Sequence, residues 1–111
     1  MTVVLLSAAE GLRVGPLTAL VDSGADGSII PLVHLAELHA PTTVEVPVRG
    51  TWSDSRTMLL YLIDIEIDGI KLPGIEVIGD PESDEIILGR DVLNRLRILL
   101  NGPRQIVDVT E

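Results

Sequence analysis

An aliphatic run at Ala19-Leu20-Val21 ends abruptly in Asp22-Ser23-Gly24, and after Ala25-Asp26-Gly27-Ser28 the chain turns apolar again at Ile29-Ile30. No other stretch constrains the fold as strongly. A carboxylate at the end of a buried strand is costly unless it is hydrogen-bonded or put to chemical use. Gly24 permits a sharp turn or a close backbone approach beside it. The same tripeptide also serves at ordinary turns, so its meaning depends on what the rest of the chain supplies.

What the chain can pack around it is narrow. Hydrophobic residues make up 46% of the 111 residues, yet there is no Phe, one Trp and one Tyr. The core must therefore be Leu, Ile and Val, which suits strands. A chain of this length reads as one domain over residues 1–111, with a modest core and a high surface-to-volume ratio. There is no cysteine to staple it, and so much aliphatic content in so short a chain hints at a surface buried by a second copy. A net charge of −9 argues against nucleic acid and against an anionic membrane surface as partners. Otherwise it acts as a solubility charge. Residues 3–9 are too short to span a bilayer and lack a basic leader, so a cytoplasmic location is expected.

Strands are expected at residues 3–6, at 12–21 with Gly15-Pro16 disturbing the run, and at 44–48 with Pro47 of edge type. Residues 31–38 read as a turn or two of helix, with Pro31 at its first position and Leu32, Leu35 and Leu38 at helical spacing. Residues 49–57 are polar and read as a hairpin tip or loop. From 58 to 68 the alternation returns, Ile63, Ile65 and Ile67 facing the core and Asp64, Glu66 and Asp68 forming a solvated face. Asp68-Gly69 is a hairpin signal, 70–78 the returning strand and 80–84 an acidic loop. A helix is expected over 91–96, then a final hairpin from 97–100 and 104–109 around Asn101-Gly102-Pro103.

The second informative segment is Glu85-Ile86-Ile87-Leu88-Gly89-Arg90-Asp91-Val92-Leu93. Together with residues 19–30 it resembles the retropepsin-like aspartic proteases, the single-lobed family that includes the retroviral proteases. The resemblance has both motifs in order and extends over residues 12–109. It implies an all-β, retropepsin-like acid-protease single lobe with one short C-terminal helix, closed by homodimerisation. A loose internal echo of strand, glycine turn and short helix, at 19–38 and again at 86–97, fits that family's two-fold.

The resemblance also implies a chemistry. Aspartic proteases are the standard example of two carboxylates, about 3 Å apart, that share a proton. One takes a proton from the attacking water while the other donates to the scissile carbonyl oxygen. This chain has a single Asp-Ser-Gly, so the second carboxylate must come from another copy and the active unit is a two-fold homodimer. Asp22 is then the catalytic residue, Ser23 the hydroxyl bonding across the axis, and Gly24 the residue leaving space beside the carboxylates. Ala25, Asp26, Gly27 and Ser28 face substrate, and Asp26 forms an ion pair with Arg90. The flap falls at residues 46–60 with Trp52 near its tip, although Gly50 is the only glycine in 49–57. The 97–109 hairpin is longer than the retroviral ending and resembles the retropepsin-like domains of cellular, ubiquitin-linked shuttle proteins; it, rather than interleaved single strands, is expected to build most of the dimer sheet.

Competing chemistries find little purchase. His34 and His39 point to different sides of a helix and make a poor metal pair, so both read as surface or loop histidines. No metal site or cofactor is implied. A nucleophile elbow is lacking, and without cysteine there is no thiol nucleophile. Two readings stand. One is an aspartic endopeptidase acting on peptide or protein substrates. The other is a catalytically weak or inactive retropepsin-like dimeric domain for peptide binding or assembly.

Overall fold

The computed structural model describes residues 1–49, 55–101 and 106–110. Along the chain come β1 (Thr2–Leu6), β2 (Arg13–Val21), β3 (Ile29–Pro31), α1 (Leu32–Glu37), β4 (Thr42–Arg49), β5 (Ser55–Ile67), β6 (Ile70–Asp80), β7 (Ile86–Leu88), α2 (Arg90–Leu93), β8 (Arg97–Asn101) and β9 (Ile106–Thr110). The first seven strands form one sheet in the order β1-β2-β7-β3-β6-β5-β4. β1 pairs a second time with β5, from Val3 opposite Ile67 to Leu6 opposite Asp64, and so curls the sheet on itself. The architecture is the all-β, barrel-like single lobe expected from the sequence.

Aliphatic alternation builds the interior. Ile63, Ile65 and Ile67 of β5 are buried, and they join Val3 and Leu5 of β1, Val77 of β6 and Leu88 of β7 in one cluster. Leu35 and Leu38 from the α1 region and Val92 of α2 belong to the same cluster. Each such side chain taken from water contributes about 1.5–3 kcal/mol. With no Phe in the chain, many short aliphatic contacts do the work of a few aromatic ones. The β5–β6 turn at Asp68-Gly69 has φ of 51° and 78°, the double left-handed geometry that suits a two-residue hairpin.

Several elements differ from expectation, each for a local reason. Pro31 closes β3 and caps α1 instead of opening it; its φ of −55° and ψ of 136° suit the end of a strand. The three-residue β3 is wedged between β6 (parallel) and β7 (antiparallel). Among the described residues α1, with six residues, is longer than the C-terminal α2, with four. α2 stops at Leu93, after which Arg95 and Leu96 N–H groups bond to carbonyls three residues back, a tighter winding. β2 runs unbroken through Gly15-Pro16, but its register against β1 shifts between Val3 and Leu5. At Gly15, with φ of 129°, a β-carbon would stand 3.0 Å from the Val3 carbonyl oxygen.

Asp64 corrects the expectation of a solvated acidic face. It is buried, at 6% exposure, where β6 carries one extra residue opposite it. Ile63 faces Ile75 and Ile65 faces Leu72, so Pro73 and Gly74 bulge out of the ladder. The Gly74 N–H freed by that bulge donates to Asp64 Oδ1 at 2.9 Å, and Lys71 Nζ lies 3.5 Å from the other carboxylate oxygen.

β4 and β5 pair as a hairpin, with Arg49 opposite Ser55 at its described end; Trp52, expected near a flap tip, lies outside the described residues. β8 and β9 pair from Arg97 opposite Thr110 to Asn101 opposite Ile106. Among the described residues no third strand joins them.

Candidate active site

The two motifs are brought together by a parallel pairing. Ala19, Leu20 and Val21 at the end of β2 lie opposite Ile86, Ile87 and Leu88 of β7. Both strands end at the same level, and the loops that follow cross. The Asp22 N–H donates to the Leu88 carbonyl at 3.0 Å, continuing the ladder one residue into the loop. Ala25 N–H then returns to the Asp22 carbonyl at 3.2 Å, and Arg90 N–H donates to the Ala25 carbonyl at 2.8 Å. A tight turn after Asp22 is thus strapped to the segment that opens α2.

This geometry presents the Asp22 side chain outward. The residue is exposed, as are Ser23 and Gly24. One carboxylate oxygen, Oδ1, accepts the Gly24 N–H at 2.9 Å, which orients the carboxylate without covering it. A β-carbon on Gly24 would stand 3.3 Å from that oxygen, a tight fit that favours glycine there. Leu20 and Val21, immediately before Asp22, are 52% and 43% exposed. For aliphatic residues at the end of a core strand that is unusually open, and it leaves apolar surface exposed next to the Asp22 loop.

Asp26 and Arg90 form an ion pair, as the motifs implied. Both side chains are well exposed in the chain, 89% and 52%, so water screens the pair and it adds little stability here. Ala25 and Gly27 are half-buried. Ser28 departs from its expected place against substrate. It is wholly buried, with its hydroxyl donating to Asp91 Oδ1 at 2.7 Å and accepting the Gly89 N–H at 3.0 Å. The reason is positional: Ser28 adjoins β3, and its carbonyl already accepts the Ile78 N–H of β6 at 2.9 Å. Asp91 is the residue that reading by motif missed. An acidic side chain one step beyond Gly89-Arg90, in the first turn of a short helix, was the available signal.

The family model described as gag-polyprotein putative aspartyl protease matches residues 13–95, which include both loops. The chain belongs to that family. Its retropepsin-like fold is seen again in two solved structures. One is the EIAV protease complexed with the inhibitor HBY-793, 21% identical with a TM-score of 0.55, the match covering 86% of each chain. The other is the retroviral protease-like domain of Ddi1 from Leishmania major, 18% identical with a TM-score of 0.56, covering 97% of this chain and 86% of that one. None of the curated proteins compared with the chain matches it.

Elsewhere, the histidines do different things. His39 is exposed and its Nδ1 lies 3.0 Å from Glu10 Oε2. His34 is half-buried rather than at the surface, with Nδ1 enclosed and without a partner. No helix among the described residues is long and apolar enough to cross a membrane.

Proposed function

We propose that this retropepsin-like chain is an aspartic endopeptidase working as a two-fold homodimer, with Asp22 of each subunit meeting at the axis. The observation that carries the reading is the state of Asp22, whose backbone and one oxygen are pinned while the side chain stays open at the surface. A merely structural carboxylate in such a loop would be turned inward, as Asp64 is. A second copy of the same loop supplies what one chain lacks, another carboxylate at bonding distance.

In the dimer one carboxylate is ionised and takes a proton from the attacking water. The other is protonated and donates to the scissile carbonyl oxygen, forming a tetrahedral diol. Protons then pass to the leaving amine as the carbon–nitrogen bond breaks. The exposed Ser23 hydroxyl meets its counterpart across the axis and holds the two loops in register. Leu20 and Val21 support an apolar groove, so cleavage between bulky apolar residues is expected. The β4–β5 hairpin over residues 46–60, with Trp52, serves as the flap. The β8–β9 hairpin, which no third strand joins among the described residues, adds its edges to the dimer sheet.

The test is cleavage of a peptide library by the wild type and by Asp22→Asn. Loss of about 100- to 10,000-fold in rate is expected on removing the general base, with the dimer retained on sedimentation. A wild type that cleaves nothing transfers the case to the second reading, a dimeric peptide-binding or assembly domain, which the glycine-poor 49–57 segment favours.

A further inference from the structure

Beneath the Asp22 loop lies a closed set of hydrogen bonds that the chemistry above does not use. Asp91 accepts three donors: the Ser28 hydroxyl on Oδ1 at 2.7 Å, the Ser28 N–H on Oδ2 at 3.2 Å and the Val92 N–H on Oδ1 at 2.8 Å. The Ser28 hydroxyl also accepts the Gly89 N–H at 3.0 Å. A hydroxyl has a single hydrogen. With Gly89 donating to its lone pair, that hydrogen is committed to Asp91, and the network has one orientation.

The bond to Val92 is local to α2 and any acid in a first helical turn could make it. The two bonds to Ser28 are not. They reach across 63 residues of sequence to the far end of the loop that carries Asp22. That loop is held at its start by Leu88, at its middle by Arg90 N–H on Ala25, and at its end by Asp91 on Ser28. Of the side-chain links to this loop, the Asp26–Arg90 pair is exposed and screened by water, so the link from Asp91 to the buried Ser28 is the one shielded from solvent.

We infer that Asp91 is a positioning residue for Asp22, acting through Ser28. The inference rests on the reading of Asp22 as the catalytic carboxylate and adds to it the residue that sets its height and angle. The chemistry of the acceptor explains why a carboxylate stands there. An Asn at 91 has one acceptor oxygen. Placed to serve the Ser28 hydroxyl and Val92, it would turn its amide nitrogen toward the Ser28 N–H, donor against donor. Ionised acceptors also make the stronger bonds.

The test compares wild type with Asp91→Asn, Ser28→Ala and the double variant, each checked for fold and dimer by thermal unfolding and sedimentation. Two readouts follow. Amide hydrogen exchange at Asp22, Ser28 and Gly89 should quicken about tenfold or more as the loop opens locally. On a cleaved peptide, kcat should fall about 10- to 100-fold, the cost of a misplacement near 1 Å. KM should stay within about threefold, since substrate contacts are untouched. The double variant should lose little more than either single one, because both cut the same link.

Exchange at Asp22 unchanged in both single variants overturns the inference, as do losses in kcat that simply multiply. If Asp91→Asn does not fold, Ser28→Ala carries the same comparison. If the wild type cleaves no peptide, the protease reading fails separately, and exchange at Asp22 still decides whether Asp91 holds the loop.

Discussion

Gly89 is packed so closely on Gly27 that a β-carbon on Gly89 would stand 2.6 Å from the Gly27 carbonyl oxygen, and 2.8 Å from that of Ala25. Both obstacles are backbone, which cannot swing aside as a side chain would. Gly89→Ala must therefore push the two crossing loops apart. The expected cost is about 1–3 kcal/mol, the range for overpacking a tight site, read by urea unfolding. Because the displaced atoms belong to the Asp22 loop, cleavage should fall with stability. A variant as stable as wild type would mean that the loops separate freely, contrary to their hydrogen bonding.

Asp64 makes a second, independent case. Its carboxylate satisfies the Gly74 N–H that the β6 bulge removes from the ladder. Asp64→Ala should cost about 1–3 kcal/mol, since it removes a charge-assisted hydrogen bond made by a buried carboxylate and leaves a gap where Asp64 was packed. Lys71→Ala should cost less than about 1 kcal/mol, because the ammonium is largely exposed and screened. Equal losses in the two variants would assign the effect to the ion pair instead of the bulge.

These two sites mark where the sequence was legible and where it was not. The Asp22 loop and the Leu88-Gly89-Arg90 segment could be read because each is a short local pattern, and the Asp26–Arg90 pair followed from matching them. The isoleucines of β5 could be read because alternation has a period of two. Asp64 defeated that same alternation. Its burial comes where Pro73 and Gly74 bulge from a neighbouring strand, which a pattern along β5 alone does not reveal. Ser28 and Asp91 were opaque for a related reason. Each is an ordinary polar residue beside a motif, and only the crossing of two loops distant in sequence turns them toward one another. β3 was hidden by its brevity, three residues whose pairing comes from β6 and β7 on either side.

Removal of residues 104–111 tests the C-terminal hairpin. Within the chain β8 pairs with β9 alone among the described residues, and a two-stranded ribbon is marginal by itself. If the hairpin forms the dimer sheet, the truncated chain should sediment as a monomer at concentrations where wild type is dimeric. It should also lose the Asp22-dependent cleavage. A truncated chain that remains dimeric and active would place the interface elsewhere.

The pH profile tests the carboxylate pair itself. Two Asp22 side chains at a two-fold axis work only when one is ionised and the other holds a proton. At low pH both are protonated and no base remains to take the proton from water. At higher pH both are ionised and nothing donates to the carbonyl oxygen. Cleavage should therefore follow a bell-shaped curve on the acid side of neutrality, within about pH 3 to 8. A peptide mimic carrying a hydroxyl in place of the scissile carbonyl should inhibit most strongly near the same optimum, since its hydroxyl takes the place of the attacking water between the two carboxylates. Asp22→Asn removes the titrating pair, so it should abolish the curve and the inhibitor's pH dependence together. A flat profile in the wild type, or a bell that survives Asp22→Asn, would show that other groups move the protons.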